Sequence, residues 1–249
     1  MSDPPQQILG IRFFLGDLEE ALTAAASGGL VVAPSAPVLA DLPRDPAQRE
    51  ALEKSDLALT DSGLLVLLWL LLKWQRLPRL SGLRFLQGLI RRPEFRQPGA
   101  TFWVMPSSED AWANTAWLAR DGIGVGADAS YLAPVYPAGP LADPALLAAI
   151  ERQRPRFVVI NLGGGVQERL GYYLRCRLSY RPAIICTGAA IAFLSGRQAN
   201  IPPWADRLFL GWLLRSLNDP RKFIPRYWKA LRLVPLLLRF GRAGVSPGD

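Results

Sequence analysis

The stretch RFVVINLGGGVQERLGYYLRCRLS, Arg156 to Ser179, constrains the fold more than any other part of the chain. Four apolar, β-favouring residues run into three glycines, and a helix-length segment follows at once. A short, wholly apolar run of this kind reads as a strand buried on both faces, the signature of a parallel sheet. The pattern recurs. LVVAPSAP (30–37) reads as a strand and loop, DPAQREALEKS (45–55) as a helix, and DLALTDSG (56–63) as a strand and turn. TFWVMPSSEDAWANTAWLARDG (101–122) is a strand, a turn capped by Ser107 or Ser108, and a helix closed by Gly122; Glu109 and Asp110 in its first turn suit the helix dipole. VGADASYLAPVYP holds a further strand, and ADPALLAAIERQRP is a helix with Pro144 near its first position. PAIICTGAAIAFLSG (182–196) reads as the last strand and the turn after it. Repeated β-turn-α units predict an α/β, Rossmann-like fold, a mostly parallel sheet flanked by helices.

In such sheets ligands bind beyond the carboxyl ends of the strands. That rim would carry Ser35, Asp61, Gln167 and Thr187. Asp61 has two readings. TDSG is good turn and cap chemistry; equally, a partly desolvated carboxylate at a strand end suits a general base. The turn NLGGGVQE also has two: a tight turn, or backbone amides at a helix N-terminus offered to an anion. It lacks the spacing of a Walker loop or a dinucleotide fingerprint. Gln167 and Glu168, one turn into the helix, are in reach of a sugar or base.

Several chemistries are excluded. The chain has no histidine, which removes Ser-His-Asp, Cys-His and His-metal sites. No Asp-x-Asp occurs, so no evident carboxylate pair holds a divalent ion, and no metal or other cofactor is expected. A diphosphate would have to be met by arginines and backbone amides. Two cysteines suggest no disulfide framework. The apolar run Leu64–Leu72, inside SDLALTDSGLLVLLWLLLKW, falls well short of the roughly 20 residues that span a bilayer, and reads as a core helix behind Asp61, part of which can face lipid or a partner subunit. The N-terminus lacks the features of a signal peptide.

Charge divides the chain. Residues 1–206 carry 20 basic and 19 acidic side chains, whereas 207–249 carry 9 and 2. The first part reads as the α/β domain and the second as a basic, amphipathic, helical appendage. Pro225 and Pro235 must kink or split its helices. An oligomer interface is one use for such a surface, which would make a homo-oligomer. A nucleic-acid surface is another, but so many Leu and Trp residues are unusual there. Best served is an anionic membrane surface, with Arg and Lys toward headgroups and Trp and Leu toward acyl chains.

Taken together, these segments resemble the WecG/TagA/CpsF family of bacterial glycosyltransferases, over about residues 31–227 and in the right order. RDPAQREALEKSDLALTDSG is similar to the family's helix, strand and strand-end aspartate. RLSGLRFL resembles its Arg-x-(Thr/Ser)-Gly segment, and PRFVVINLGGGVQERL its V-G-L-G-x-P-K-Q-E loop. CTGAAIAFLSGRQANIPPWADRLFLGWLLRSLNDPRK resembles its long C-terminal signature. The resemblance implies Asp61 as catalytic base. It implies substrate contacts from Ser35, Ser62, Arg79, Gly163, Gly164, Gln167, Glu168 and Thr187, with Arg215, Arg221 and Arg226 closing over a diphosphate. It implies a UDP-sugar donor and a polyprenyl-diphosphate-linked glycan acceptor in exopolysaccharide or cell-envelope synthesis. The enzyme would sit peripherally on the cytoplasmic face of the bacterial inner membrane. The chain departs from the pattern at Ala33 and Ser35, where the family has Thr-x-Asn, at Thr60 and Ser62 around the base, and at Gly165 and Val166 in the loop. Those departures leave a second expectation: a non-catalytic relative that binds a nucleotide sugar or scaffolds a polysaccharide assembly complex.

Overall fold

The computed structural model describes residues 6–198 and 228–245. Eight strands form one sheet in the order β1-β2-β4-β3-β8-β7-β5-β6. All pairings are parallel except β1 (Gln6–Ile8) with β2 (Ile11–Phe13). That hairpin turns on Leu9 and Gly10, both at positive φ (51° and 83°), the backbone pattern that matches the twist of two joined strands. A leucine tolerates it because its side chain is fully buried and its N–H donates to Gly241 O at 2.9 Å.

The central strands are the expected apolar runs: β3 (Gly29–Val32), β5 (Thr101–Met105), β7 (Phe157–Ile160) and β8 (Ala183–Cys186), with every residue buried. β4 (Leu57–Ala58) and β6 (Ser130–Leu132) are shorter. Helices cover both faces. Over one face lie α2 (Ala36–Ala40), α3 (Pro46–Glu53), α7 (Pro144–Gln153) and α8 (Val166–Arg177). The other carries α1 (Leu18–Ala26), α5 (Gly82–Ile90), α6 (Ser108–Arg120) and α9 (Ala190–Leu194). Two separate cores result, one on each side of the sheet.

Local chemistry starts the helices as the residues predict. Ser107 Oγ accepts from Asp110 N at 3.1 Å, and Asp143 Oδ1 from Leu146 N at 2.9 Å, with Pro144 opening α7. The segment after β8 is more than a turn, because Gly188 at φ 63° redirects the chain into α9.

Helix α4 (Gly63–Lys73) is a core helix on one side only, in line with the expectation that part of it faces outward. Only Leu65, Val66 and Trp69 are buried, whereas Leu67, Leu70, Leu71 and Trp74 are exposed, Leu71 by 61% and Trp74 by 89%. It is a half-buried helix with an apolar outer face, not one enclosed by the core. Beside it packs α10 (Leu233–Arg239), which also touches α2. Ala230, Leu233, Leu237 and Val245 join the same core as β1 and β2.

Candidate functional site

Strand order decides where a ligand can sit. From β3 the chain crosses to β4 on one side, while β7 and β8 fill the sheet from the other, so connections diverge at the β3/β8 boundary. The loop after β3 leads to α2 on one face and the loop after β8 leads to α9 on the opposite face. A crevice opens at such a switch point. Here it has a volume of about 520 Å³ and is lined by the ends of β3, β4, β7 and β8 and the first turns of α6 and α9. Ser35, Asp61, Gly163, Gly164, Gln167, Glu168 and Thr187 all line it.

Asp61 follows β4 by three residues and stands against the start of α5. Its Oδ1 accepts from Gly82 N at 2.9 Å, and its carbonyl accepts from Arg79 Nε at 2.9 Å. The segment 79–82 therefore grips the aspartate from both ends. Gly82 allows this approach: a Cβ there would lie 3.2 Å from Ala33 Cβ and 3.3 Å from Thr187 Cβ. The carboxylate therefore faces the N-terminus of α5. Arg79 acts on the backbone of Asp61 and is not among the residues lining the crevice. Ser62 is spent on the next helix: its Oγ accepts from Leu65 N at 3.2 Å as the cap of α4.

The glycine turn is built to a tight specification. Gly165 sits at φ 90°, and a Cβ on it would meet Gln48 Oε1 at 2.6 Å; one on Gly164 would meet Val38 Cγ2 at 2.5 Å. Both contacts require glycine. Gly163 and Gly164 are exposed at the crevice and precede the first turn of α8, where free backbone N–H groups concentrate. Glu168 is fully buried, and its Oε2 accepts from Gly165 N at 2.5 Å, closing the start of the helix. Burial pushes its carboxyl up, against the opposing pull of its hydrogen bonds and Arg169. Glu168 Oε1 accepts from Gln167 Nε2 at 3.0 Å, and Gln167 Oε1 accepts from Gly188 N at 2.7 Å. The glutamine thus ties the β7 loop to the β8 loop, and both residues shape the wall more than they face the cavity.

Five buried side-chain polar atoms among the described residues have no hydrogen-bond partner, and three of them belong to crevice residues: Ser35 Oγ, Asn161 Oδ1 and Thr187 Oγ1. An unpaired buried group costs about 1–3 kcal/mol, so a polar ligand in this crevice would relieve three such costs at once. Asn161 was not singled out in the sequence, nor was the Asp110–Arg197 ion pair at the crevice edge (3.0 Å). Asn161 had a legible signal, a lone amide closing an apolar strand. Arg215, Arg221 and Arg226 lie outside the described residues. Among the described residues no three His, Cys, Asp or Glu side chains gather as a metal site.

An open α/β sheet with a polar crevice at its switch point, a glycine turn opening a helix and a carboxylate at the rim defines a Rossmann-like ligand-binding protein. The chain belongs to the glycosyl transferase WecG/TagA/CpsF family, whose family model matches residues 6–246. It is thus a glycosyltransferase by family, with a nucleotide-sugar donor and a glycan acceptor implied. No curated protein matches it.

Proposed function

We propose that this protein is a peripheral membrane, inverting glycosyltransferase that moves a sugar from a UDP-sugar to a polyprenyl-diphosphate-linked glycan acceptor. Exopolysaccharide or cell-envelope glycan synthesis at the cytoplasmic face of the bacterial inner membrane is the setting. One observation carries the reading: Asp61 Oδ1, 2.9 Å from Gly82 N, lies at the rim of the crevice that also holds the glycine turn before α8.

In this reading Asp61 takes the proton from an acceptor hydroxyl. The oxygen attacks the anomeric carbon of the donor, an acceptor–sugar bond forms with inversion, and the sugar–phosphate bond breaks. UDP leaves with the electron pair. Negative charge grows on the diphosphate as that bond breaks, so donors aimed at it lower the barrier. We assign this to the backbone N–H groups of Gly163 and Gly164 and, on the family resemblance, to Arg215, Arg221 and Arg226.

The membrane partner is supported by composition and by exposure. Leu67, Leu70, Leu71 and Trp74 on α4 and Trp228, Leu231 and Leu238 in the C-terminal segment are exposed, and α4 and α10 pack together. No acidic residue occurs between Asp61 and Glu94 or within 228–245, whereas Lys73, Arg76, Lys229, Arg232, Arg239 and Arg242 do. Apolar residues edged by cations suit a surface of anionic lipid. No helix among the described residues is long and apolar enough to cross a membrane. We therefore take 207–249 as a basic docking appendage on an α/β domain of residues 1–206.

The test is a panel of UDP-sugars with a short-chain diphosphate-linked acceptor, reading released UDP. Transfer with at least one donor is expected, and must require the acceptor. Thermal stabilisation by UDP with no transfer on any lipid-linked acceptor would instead favour the non-catalytic sugar-nucleotide binder or scaffold.

A further inference from the structure

Asn161 sits at the end of β7 and is 6% exposed. Its backbone N–H continues the ladder to Val104 O at 2.9 Å. The side-chain Nδ2 lies 3.2 Å from the same carbonyl and 3.5 Å from Val159 O. Two carbonyl oxygens demand a donor, which settles which end of the amide is nitrogen. Oδ1 is then turned away from the strands, and it has no partner. An amide oxygen can only accept, so the group it awaits must bring an N–H or O–H.

Register fixes what lies beside it. Val159 pairs with Ile185, and Val32 with Cys186. Asn161, Thr187 and Ala33 therefore stand in one row on one sheet face. The neighbouring amide, Asn114, does not serve the same end: its Oδ1 already accepts from Ser195 Oγ at 2.6 Å.

Asp61 follows β4 and its carboxylate meets Gly82, which packs against Ala33 after β3 and Thr187 after β8, whereas Asn161 follows β7 on the far side of β8. The glycine turn begins two residues past Asn161 and reaches toward Asp61's side of the crevice, since Gly164 leans on Val38 and Ser35 after β3. If the sugar's reacting carbon is at Asp61 and the diphosphate at the turn, the remaining moiety, the nucleoside, falls over β7.

We infer that Asn161 reads the nucleobase of the donor, its Oδ1 accepting the N3–H of uracil and so fixing which way round the nucleotide sugar lies. This rests on the UDP-sugar reading above. The relevant base edge carries an N–H flanked by carbonyls, which no cytosine offers at that position.

The experiment compares UDP with N3-methyl-UDP, by calorimetry, on the wild-type chain and on Asn161→Ala. Wild type should bind the methylated nucleotide about tenfold or more weakly, because the acceptor then loses its donor inside a buried site. Asn161→Ala should bind UDP more weakly and lose the preference, since the space left by the amide admits the methyl group. A general loss of packing would weaken both nucleotides alike and keep their ratio. Equal binding of the two by wild type, or an unchanged preference in Asn161→Ala, overturns the assignment and leaves the UDP-sugar reading standing. Equal binding by wild type overturns the assignment even if the variant does not fold. Failure of UDP itself to bind brings down the donor reading, and the role of Asn161 with it.

Discussion

Asp61 and Gly82, 21 residues apart in the chain, meet where one carboxylate oxygen accepts the first amide of α5 at 2.9 Å. The contact holds that oxygen against a helix start. It also makes the geometry of the proposed base depend on how closely α5 approaches β3 and β8.

Asp61→Asn keeps an acceptor for that amide and removes the basic oxygen. Turnover should fall at least about 100-fold, roughly 3 kcal/mol in barrier, with UDP affinity nearly unchanged. Steady-state rates beside calorimetric UDP binding read the two effects separately. Wild-type turnover in the Asn variant would remove the base assignment.

Gly82→Ala tests the approach itself. The added methyl would press on Ala33 Cβ and Thr187 Cβ at 3.2 and 3.3 Å, and both belong to strand ends that cannot swing aside. Overpacking of this kind costs about 1–3 kcal/mol, and α5 should lift away from Asp61. The expected outcome is a lower melting temperature with a kcat loss of about tenfold. An unchanged kcat would mean that the helix start does not position the carboxylate.

At the opposite end of the sheet, Asp56 ties three strands together. Its carboxylate accepts from Arg175 Nε at 2.6 Å, Arg181 Nη2 at 2.9 Å and Leu30 N at 2.8 Å. Burial pushes its carboxyl up, but the bonds from Arg175 and Leu30 outweigh that and hold it below the ordinary value. A depressed native pKa means that the unfolded chain takes up the proton first, so the stabilisation is present above pH ~4 and is lost as pH falls through the native value. Asp56→Asn should cost about 1 kcal/mol at pH 7 after solvent screening, and nothing at the acid end. Melting curves from pH 2.5 to 7 measure the gap. A gap that stays constant over that range contradicts the linkage. Transfer activity of the folded variant should be unchanged, because Asp56 lies at the end of the strands remote from the crevice.

Leu71→Gln combined with Trp74→Gln probes the outer face of α4 without touching its buried side. Binding to vesicles containing anionic lipid should drop about tenfold or more from the lost apolar burial, with the melting temperature nearly constant. Arg239→Glu should weaken binding only at low salt. Full vesicle binding by the double variant would exclude α4 from the lipid contact. Point changes suit this face better than deletion of the C-terminal segment, because Leu233 and Leu237 are fully buried in the core.

The sequence by itself determined the alternation of buried strands and capped helices, and with it the α/β class and the strand-end position of Asp61. These follow from local rules: apolar run length, glycine at positive φ, and serine or aspartate at helix starts. The N-terminal hairpin escaped that reading because its strands are three residues each and its turn begins on a leucine. Tertiary structure alone decided which loops converge. Gly82 reaches Asp61, Gln167 joins the β7 and β8 loops, and Asn161 lines up with Thr187 only because of strand order and register, which are set by pairing between distant segments. It also decided that α4 keeps an apolar face outward and that residues 230–245 close over its flank. A helix's burial depends on what packs against it, and no periodicity within eleven residues can say which of its faces finds a partner.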